Sequence, residues 1–445
     1  AVPTPTPTLS QSPPFGLTII THGYLSDTSS WVTDMANAIN SRMGGTVTPQ
    51  TIKIKSLGFP PVIQVTDTPD IDLTSGAAII MVDWYTVSGG ACGSTADTSV
   101  IGDVIFDYLN AHPDLLRVPI HLIGHSRGGS VMSHLSKRLG EISVWVDQLT
   151  TLDPQPICDD ADVSNVYSNV LFSDNYYRRE GFFPWGEPVA GTYERQLNGI
   201  VKGDGTPCDN LSFSQNGTAH EQVHTYYHGT ILESESLEGY DCVDYVEVQP
   251  EWYEPKYPTR PRKTGYYFSR IGKGDRYASD DSGIEPLINP RDGLHYRLTR
   301  SSTNNRESLS TTFPAWPNVT FKPFADQSGY SDYEVKVGKK VVFTYYYQDA
   351  DSDNLDIVFA LDNDTNPFNN SDNKYYKKIK NPQLKTKKRG TISAKTKFEW
   401  VPKYADIGTH YVQIKATDAD GQVRYDYLLK PINVKTTGKR VRSGH

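Results

Sequence analysis

Residues 118–129 read Val118-Pro119-Ile120-His121-Leu122-Ile123-Gly124-His125-Ser126-Arg127-Gly128-Gly129. An apolar run flows into Gly-x-Ser-x-Gly, and residues 130–139 (SVMSHLSKRL) continue with apolar side chains at helical spacing. This is the pattern of a buried strand that turns sharply into a helix with a serine at the turn; the glycines are required because a Cβ at either place would clash. A serine hydroxyl is a poor nucleophile at neutral pH. It needs a base to take its proton, a group to orient that base, and donors for a developing oxyanion.

Working outward, Leu17 to Ile20 is a second apolar run, ending in Thr21-His22-Gly23-Tyr24, and Ala77 to Val82 a third, ending in Asp83-Trp84. Helical spacing is predicted over 30–43, and a fourth strand over 144–152 ends in Asp153-Pro154. Continuous apolar strands alternating with helices predict a parallel sheet covered on both faces. In such sheets reactive groups gather at the carboxyl ends of the strands. The chain order expected for this turn is serine, acid, histidine. Asp147, Asp153, Asp159, Asp160, Asp162 and Asp174 compete for the acid, with Asp153 best placed at a strand end and fixed by Pro154. His220, His224 and His228 compete for the base, spaced four apart as on one helix, with His220 expected to precede the helical stretch, where a loop could deliver it to the sheet edge.

Residues 17–235 resemble the vertebrate lipase family (pancreatic and lipoprotein lipases) within the α/β-hydrolases. The residues that carry the resemblance are His22-Gly23-Tyr24, Val82-Asp83-Trp84, Gly124 to Gly128, Leu152-Asp153-Pro154-Gln155-Pro156, and His220-Glu221-Gln222-Val223 through Tyr226-Tyr227 to Leu232. The resemblance implies an α/β-hydrolase sheet and a triad of Ser126, Asp153 and His220. It also implies oxyanion donors at the backbone N–H groups of Tyr24 and Arg127, and leaves His224 and His228 as a helix-face pair. Arg127 stands where the family usually has Leu, which predicts a charge near the mouth of the site. The family's cysteine framework is not reproduced, and its C-terminal lipid-binding domain is not recognisable.

The 445 residues carry a net charge of −8, with 37% hydrophobic and 22% charged residues and mean hydropathy −0.51. No apolar stretch approaches the ~20 residues of a membrane-spanning helix, and the acidic balance argues against nucleic acid as a partner. Charge is unevenly divided, at +7 over 328–445 and −15 over 1–327. The domain reading is a Pro/Thr-rich tail at 1–14, a catalytic domain at 15–245 and a junction or β-rich extension at 246–327. A β-sandwich at 328–436 and a basic tail at 437–445 complete it. The tail, lacking a Met start, reads as what remains after a signal peptide is removed, so a secreted, extracellular protein is expected. Cys92, Cys158, Cys208 and Cys242 fit no zinc spacing and suit one or two disulfides, with three pairings open.

Between Asp153 and His220 lie 66 residues, which include Phe182-Phe183-Pro184-Trp185 and are bracketed for most of their length by Cys158 and Cys208. A disulfide-anchored lid and a loop packed by its aromatics are the two readings. In the C-terminal part, Tyr333 to Val337, Val341 to Tyr347, Lys397 to Trp400, His410 to Ala416 and Tyr425 to Val434 read as short strands of a β-sandwich. Asp349-Ala350-Asp351-Ser352-Asp353 and Asp418-Ala419-Asp420-Gly421, with Trp400-Val401-Pro402, resemble cadherin-like and Ig-like repeats of bacterial surface and secreted enzymes. Asp349, Asp351, Asp353, Asp418 and Asp420 could then ligate structural calcium, or form solvated turns. Asn210, Asn216, Asn318, Asn363 and Asn369 head N-x-S/T sequons.

These residues predict a secreted serine ester hydrolase, lipase or esterase, that acts on an ester or lipid substrate and needs no cofactor for catalysis. The competing readings are a polyester depolymerase whose β-module binds an insoluble surface, and a non-catalytic adhesin or binding protein.

Overall fold

The computed structural model describes residues 15–29, 31–89, 96–157, 163–179, 185–197, 219–231, 265–271, 306–309, 315–322, 333–351, 354–370, 377–380, 383–385 and 396–436. All four cysteines, the terminal stretches 1–14 and 437–445, and Phe182 to Pro184 lie outside these residues.

The amino-terminal part is an α/β unit. Its strands are β1 (Gly16–Thr21), β2 (Gln50–Leu57), β3 (Val62–Asp67), β4 (Ala77–Asp83), β5 (Ile120–His125), β6 (Val146–Leu152), β7 (Val170–Tyr177) and β8 (Tyr193–Gln196). Its helices are α1 (Trp31–Arg42), α2 (Tyr85–Ser88), α3 (Thr98–Ala111), α4 (Arg127–Glu141) and α5 (Ala219–Ile231). The strands form one sheet in the order β3-β2-β4-β1-β5-β6-β7-β8. It is parallel except for the β2–β3 pair, so it is a mixed sheet.

Two apolar clusters show why the central strands are hydrophobic throughout. On one face Leu17, Ile19, Ile80, Val82 and Leu122 pack with Ile101 and Ile105 of α3 and with Val131, Met132, Leu135 and Leu139 of α4. On the other, Ile20, Ile79, Met81 and Ile123 pack with Met35 and Ile39 of α1 and with Val223, Tyr227 and Ile231 of α5. Each such side chain, fully withdrawn from water, contributes about 1.5–3 kcal/mol.

Register brings the polar strand ends together. Thr21 pairs with Gly124 across β1–β5, and His125 pairs with Leu152 across β5–β6. His22, Ser126 and Asp153 therefore leave adjacent strands at one edge.

The carboxyl-terminal part is all β. Its strands are β9 (Asn318–Lys322), β10 (Tyr333–Lys336), β11 (Val341–Gln348), β12 (Asn354–Asp362), β13 (Lys377–Lys380), β14 (Gln383–Lys385), β15 (Thr396–Trp400), β16 (Gly408–Thr417), β17 (Val423–Tyr427) and β18 (Ile432–Lys435). A seven-stranded sheet built around β12 and β16 and a three-stranded sheet β15-β11-β9 face one apolar core. Phe321, Phe343 and Phe398 come to it from the small sheet, and Ile357, Phe359, Val412 and Ile414 from the large one. The single strand expected over 425–434 is two strands, β17 and β18, separated by a bend at residues 429–430.

Described residues within 246–327 join both parts. Tyr266 and Ile271 pack into the α5 face of the α/β sheet, whereas β9 pairs with β11. At the seam, Arg424 donates to the carbonyls of Leu116 (2.7 Å) and Trp145 (3.4 Å). Arg270 bridges Asp147 (3.4 Å) and Asp426 (3.0 Å). Asn318, which heads a sequon, is fully buried there: its Oδ1 accepts from Trp145 N–H at 3.0 Å and its Nδ2 donates to Ser143 O, so it is closed to glycosylation. Among the described residues no helix is long and apolar enough to cross a membrane.

Candidate active site

Ser126 sits between β5 and α4 with φ +56° and ψ −130°, a region that non-glycine residues rarely occupy. The strain persists because the surroundings determine it. Ser126 N–H donates to Leu152 O at 2.9 Å, and Ser126 O accepts from Gly129 N–H at 2.9 Å. A Cβ on Gly124 would stand 2.1 Å from Gly128 O, so the turn closes only on glycine. A Cβ on Gly23 would stand 2.6 Å from Ser126 Cβ, so the turn after β1 lies directly against Ser126.

Asp153 is a second strained residue, at φ +47°, and is wholly buried. Its Oδ2 accepts from Nδ1–H of His220 at 2.6 Å, and its Oδ1 accepts from Arg178 N–H at 2.6 Å. Burial pushes this carboxyl up to about 7, while the backbone N–H groups of Arg178 and Gly186 draw it back down. Burial draws His220 down to about 4, so its imidazole is neutral at pH 7 and able to accept a proton. With Nδ1–H given to Asp153, Nε2 is the nitrogen left for the serine. Among the described residues no hydrogen bond joins His220 to Ser126 Oγ; such bonds are often long without substrate.

The other acids are placed elsewhere. Asp174 lies within β7, where it accepts from Thr150 Oγ1 (2.6 Å) and Gln148 Nε2 (3.1 Å). Asp147 pairs with Arg270 at the seam. Asp159, Asp160 and Asp162 lie outside the described residues. His228 is buried, and burial draws it down to about 4.

Tyr24 directly follows Gly23 and Arg127 directly follows Ser126, so their amides lie one residue from this contact on either side. The Arg127 side chain corrects an expectation: its charge is not at the mouth. The residue is completely buried, Nη1 donates to Ser88 O and Nη2 to Ala96 O, both at 3.1 Å, and the guanidinium lies 5.5 Å from the Trp84 ring centre. Carbonyl dipoles and an aromatic face provide its setting inside.

His22 orders the turn before Tyr24. Its Nδ1–H donates to Gly23 O (2.9 Å) and its Nε2 accepts from Trp84 N–H (3.1 Å), a pairing that sets the tautomer. Trp185, from the proposed lid, is 44% exposed.

Sequence reasoning missed two contacts. His125 Nε2–H donates to the His220 carbonyl at 3.0 Å, and His224 stacks on Trp31 at 4.4 Å. His220 itself is the second residue of α5 and not part of a loop before the helix, so helix and catalytic candidate are delivered to the sheet together.

Three of the acidic residues of the β part accept backbone hydrogen bonds, two of them within local turns. Asp351 Oδ2 accepts from Ala315 N–H at 3.0 Å and Asp418 Oδ1 from Gln422 N–H at 2.7 Å. Asp349 Oδ1 accepts from Asp351 N–H at 3.3 Å, and Asp420 is exposed. Asp353 lies outside the described residues, among which no group of three or more His, Cys, Asp or Glu is poised to hold a metal ion.

No protein-family model matches the chain, and no curated protein matches it. Among solved structures, a superoxide reductase (neelaredoxin) from Ignicoccus hospitalis is 9% identical, with a TM-score of 0.16, over 27% of this chain and 80% of that one. A chitin-binding domain from Burkholderia pseudomallei is 12% identical, with a TM-score of 0.17, over 24% of this chain and 57% of that one. Overlaps this poor say nothing about the site.

Proposed function

We propose that the chain is a secreted serine carboxylic-ester hydrolase with an α/β-hydrolase catalytic domain similar to the vertebrate lipases, carrying an Ig- or cadherin-like β-module. The observation that carries the reading is the 2.6 Å bond between Asp153 and His220 at the sheet edge where Ser126 occupies a strained strand-to-helix turn.

In the mechanism, Ser126 Oγ attacks an ester carbonyl while His220 Nε2 takes its proton. Asp153 keeps the ring in the Nδ1–H tautomer and balances the imidazolium charge as it forms. The backbone N–H groups of Tyr24 and Arg127 receive the oxyanion; one such donor is worth about 10²–10³ in rate. The tetrahedral intermediate collapses, His220 gives its proton to the leaving alcohol, and the acyl group stays on Ser126. Water, deprotonated by His220, then attacks the acyl carbonyl; the bond to Ser126 Oγ breaks as His220 returns the proton to that oxygen, and the acid leaves. None of these steps asks for a cofactor.

The test is hydrolysis of p-nitrophenyl acetate, butyrate and palmitate, with labelling by a fluorophosphonate probe and Ser126→Ala in parallel. The expected result is turnover and labelling in the wild type and neither in the variant. The chain-length profile then separates esterase from lipase. A folded wild-type protein that neither turns over nor labels would leave the binding-protein reading in its place.

A further inference from the structure

His125 lies between Gly124 and the nucleophile and has no part in the steps above. It is buried, as are His220 and His224. Asp153 holds the His220 ring by one nitrogen, and a single hydrogen bond leaves the ring free to pivot. His125 supplies a second hold. Its Nε2–H donates to the His220 carbonyl, tying the first turn of α5 to the end of β5, and the two rings lie 4.5 Å apart at 43°. On its other side the His125 ring meets His224 edge-on at 4.9 Å and 89°. His224 is in turn stacked on Trp31 at 4.4 Å and 13°, and Trp31 closes the group with an edge contact to His125 at 5.6 Å.

We propose that His125 is the positioning residue of the catalytic base, clamped by the His224–Trp31 stack. The inference rests on the reading of Ser126, Asp153 and His220 as a triad. Four rings from three segments (the start of α1, the end of β5 and the first turns of α5) fill one compact cluster. Ring packing of this kind confines each member to a narrow range, because aromatic rings have few torsions and fixed shapes. The hydrogen bond is directional: a carbonyl can only accept, so the brace exists only while His125 keeps its proton on Nε2. The brace thus sets the origin of the His220 side chain, and Asp153 sets its rotation. With both in place, Nε2 of His220 keeps its position relative to Ser126 through both halves of the reaction.

The test compares His125→Gln, whose side-chain amide can put a donor near the place of Nε2–H, with His125→Ala and His125→Leu, which have no donor. The measurements are kcat and KM on p-nitrophenyl butyrate, the rate of fluorophosphonate labelling at Ser126, and the ¹⁵N shifts of the His220 ring. The expected result is a fall in kcat of about 10²-fold for the Ala and Leu variants, the scale of a misplaced catalytic group. KM stays unchanged, labelling slows in step with kcat, and His125→Gln recovers most of the loss. His220 loses its fixed Nδ1–H signature in Ala and Leu and keeps it in Gln. Equal kcat in Gln and Leu, or an unaltered His220 spectrum in Leu, overturns the proposal. If the wild type neither turns over nor labels, the hydrolase reading falls, and the His220 spectrum alone still decides whether His125 braces that ring.

Discussion

The carboxyl edge of the α/β sheet and the seam with the β sheets both bury ionisable side chains, and they do so in opposite ways. At the edge, Ser126 and Asp153 hold left-handed backbone angles, and His125, His220, His224 and His228 are buried and neutral. At the seam, Arg270 is matched to Asp147 and Asp426, and Asp426 also accepts from Thr320 Oγ1 (2.6 Å) and Phe321 N–H (2.8 Å). Burial without a compensating charge keeps a histidine neutral, with a ring nitrogen able to accept a proton. Burial beside opposite charges holds a charged group in place and makes it a fastener between the two parts. The same property, low exposure, has opposite consequences according to what faces the charge.

The largest effect expected from breaking this contrast is at the edge. Asp153→Asn keeps the shape but puts an amide where the oxygen fixes the Nδ1–H tautomer of His220; kcat should fall about 10⁴-fold while thermal stability changes little. A variant within tenfold of wild type would show that another acid serves His220.

The reverse experiment is at the seam. Asp426→Ala leaves Arg270 buried beside an incomplete partner set and should cost about 3–5 kcal/mol of stability. The folded fraction should keep its kcat. Unfolding curves with and without the substitution measure this, and an unchanged midpoint would mean that the seam is not a fastener.

The least abrupt effect, spread over several pH units, is the acid limb of stability. Burial draws His125 down to about 3 and His220 and His228 to about 4, and His224 well below 6.5. The folded protein therefore binds fewer protons than the unfolded chain below pH 6.5. Stability from these groups is full above that value and is lost as pH falls through about 4, at up to about 1.4 kcal/mol per pH unit for each histidine. Asp153, pushed up to about 7, has the opposite sign: its contribution is present at acid pH and lost as pH rises toward 7. Four groups outweigh one, so the denaturation midpoint should fall from pH 6.5 to 4. A flat profile would mean that these histidines are not buried neutral in solution.

Reading from residues succeeded where one local pattern has one physical solution. The apolar runs at Leu17, Ala77, Ile120 and Val146 are strands because residues buried on both faces must be hydrophobic throughout. The pattern failed to announce β2, where Gln50, Lys53 and Lys55 interrupt the apolar positions, because that strand joins an antiparallel pair toward the sheet edge. It also failed at α3, whose apolar face was not read, and at β12, hidden between Asp-rich turns.

At the candidate site, Ser126 was legible because a Gly-x-Ser-x-Gly turn leaves the backbone little choice. Asp153 and His220 were legible from order and resemblance, while their contact was not: 67 positions of chain separate them, and only β6 and α5 docking on the same sheet brings them to 2.6 Å. Arg127 makes the same point in reverse. Its position beside the nucleophile followed from the motif, but the direction of its side chain depended on carbonyls at Ser88 and Ala96. Local sterics and periodicity are written along the chain and determine strands, turns and the strained serine. Which buried groups face one another, and so whether a charge is paired, neutral or poised to react, belongs to the tertiary structure, because electrostatics acts through space between residues that the sequence holds far apart.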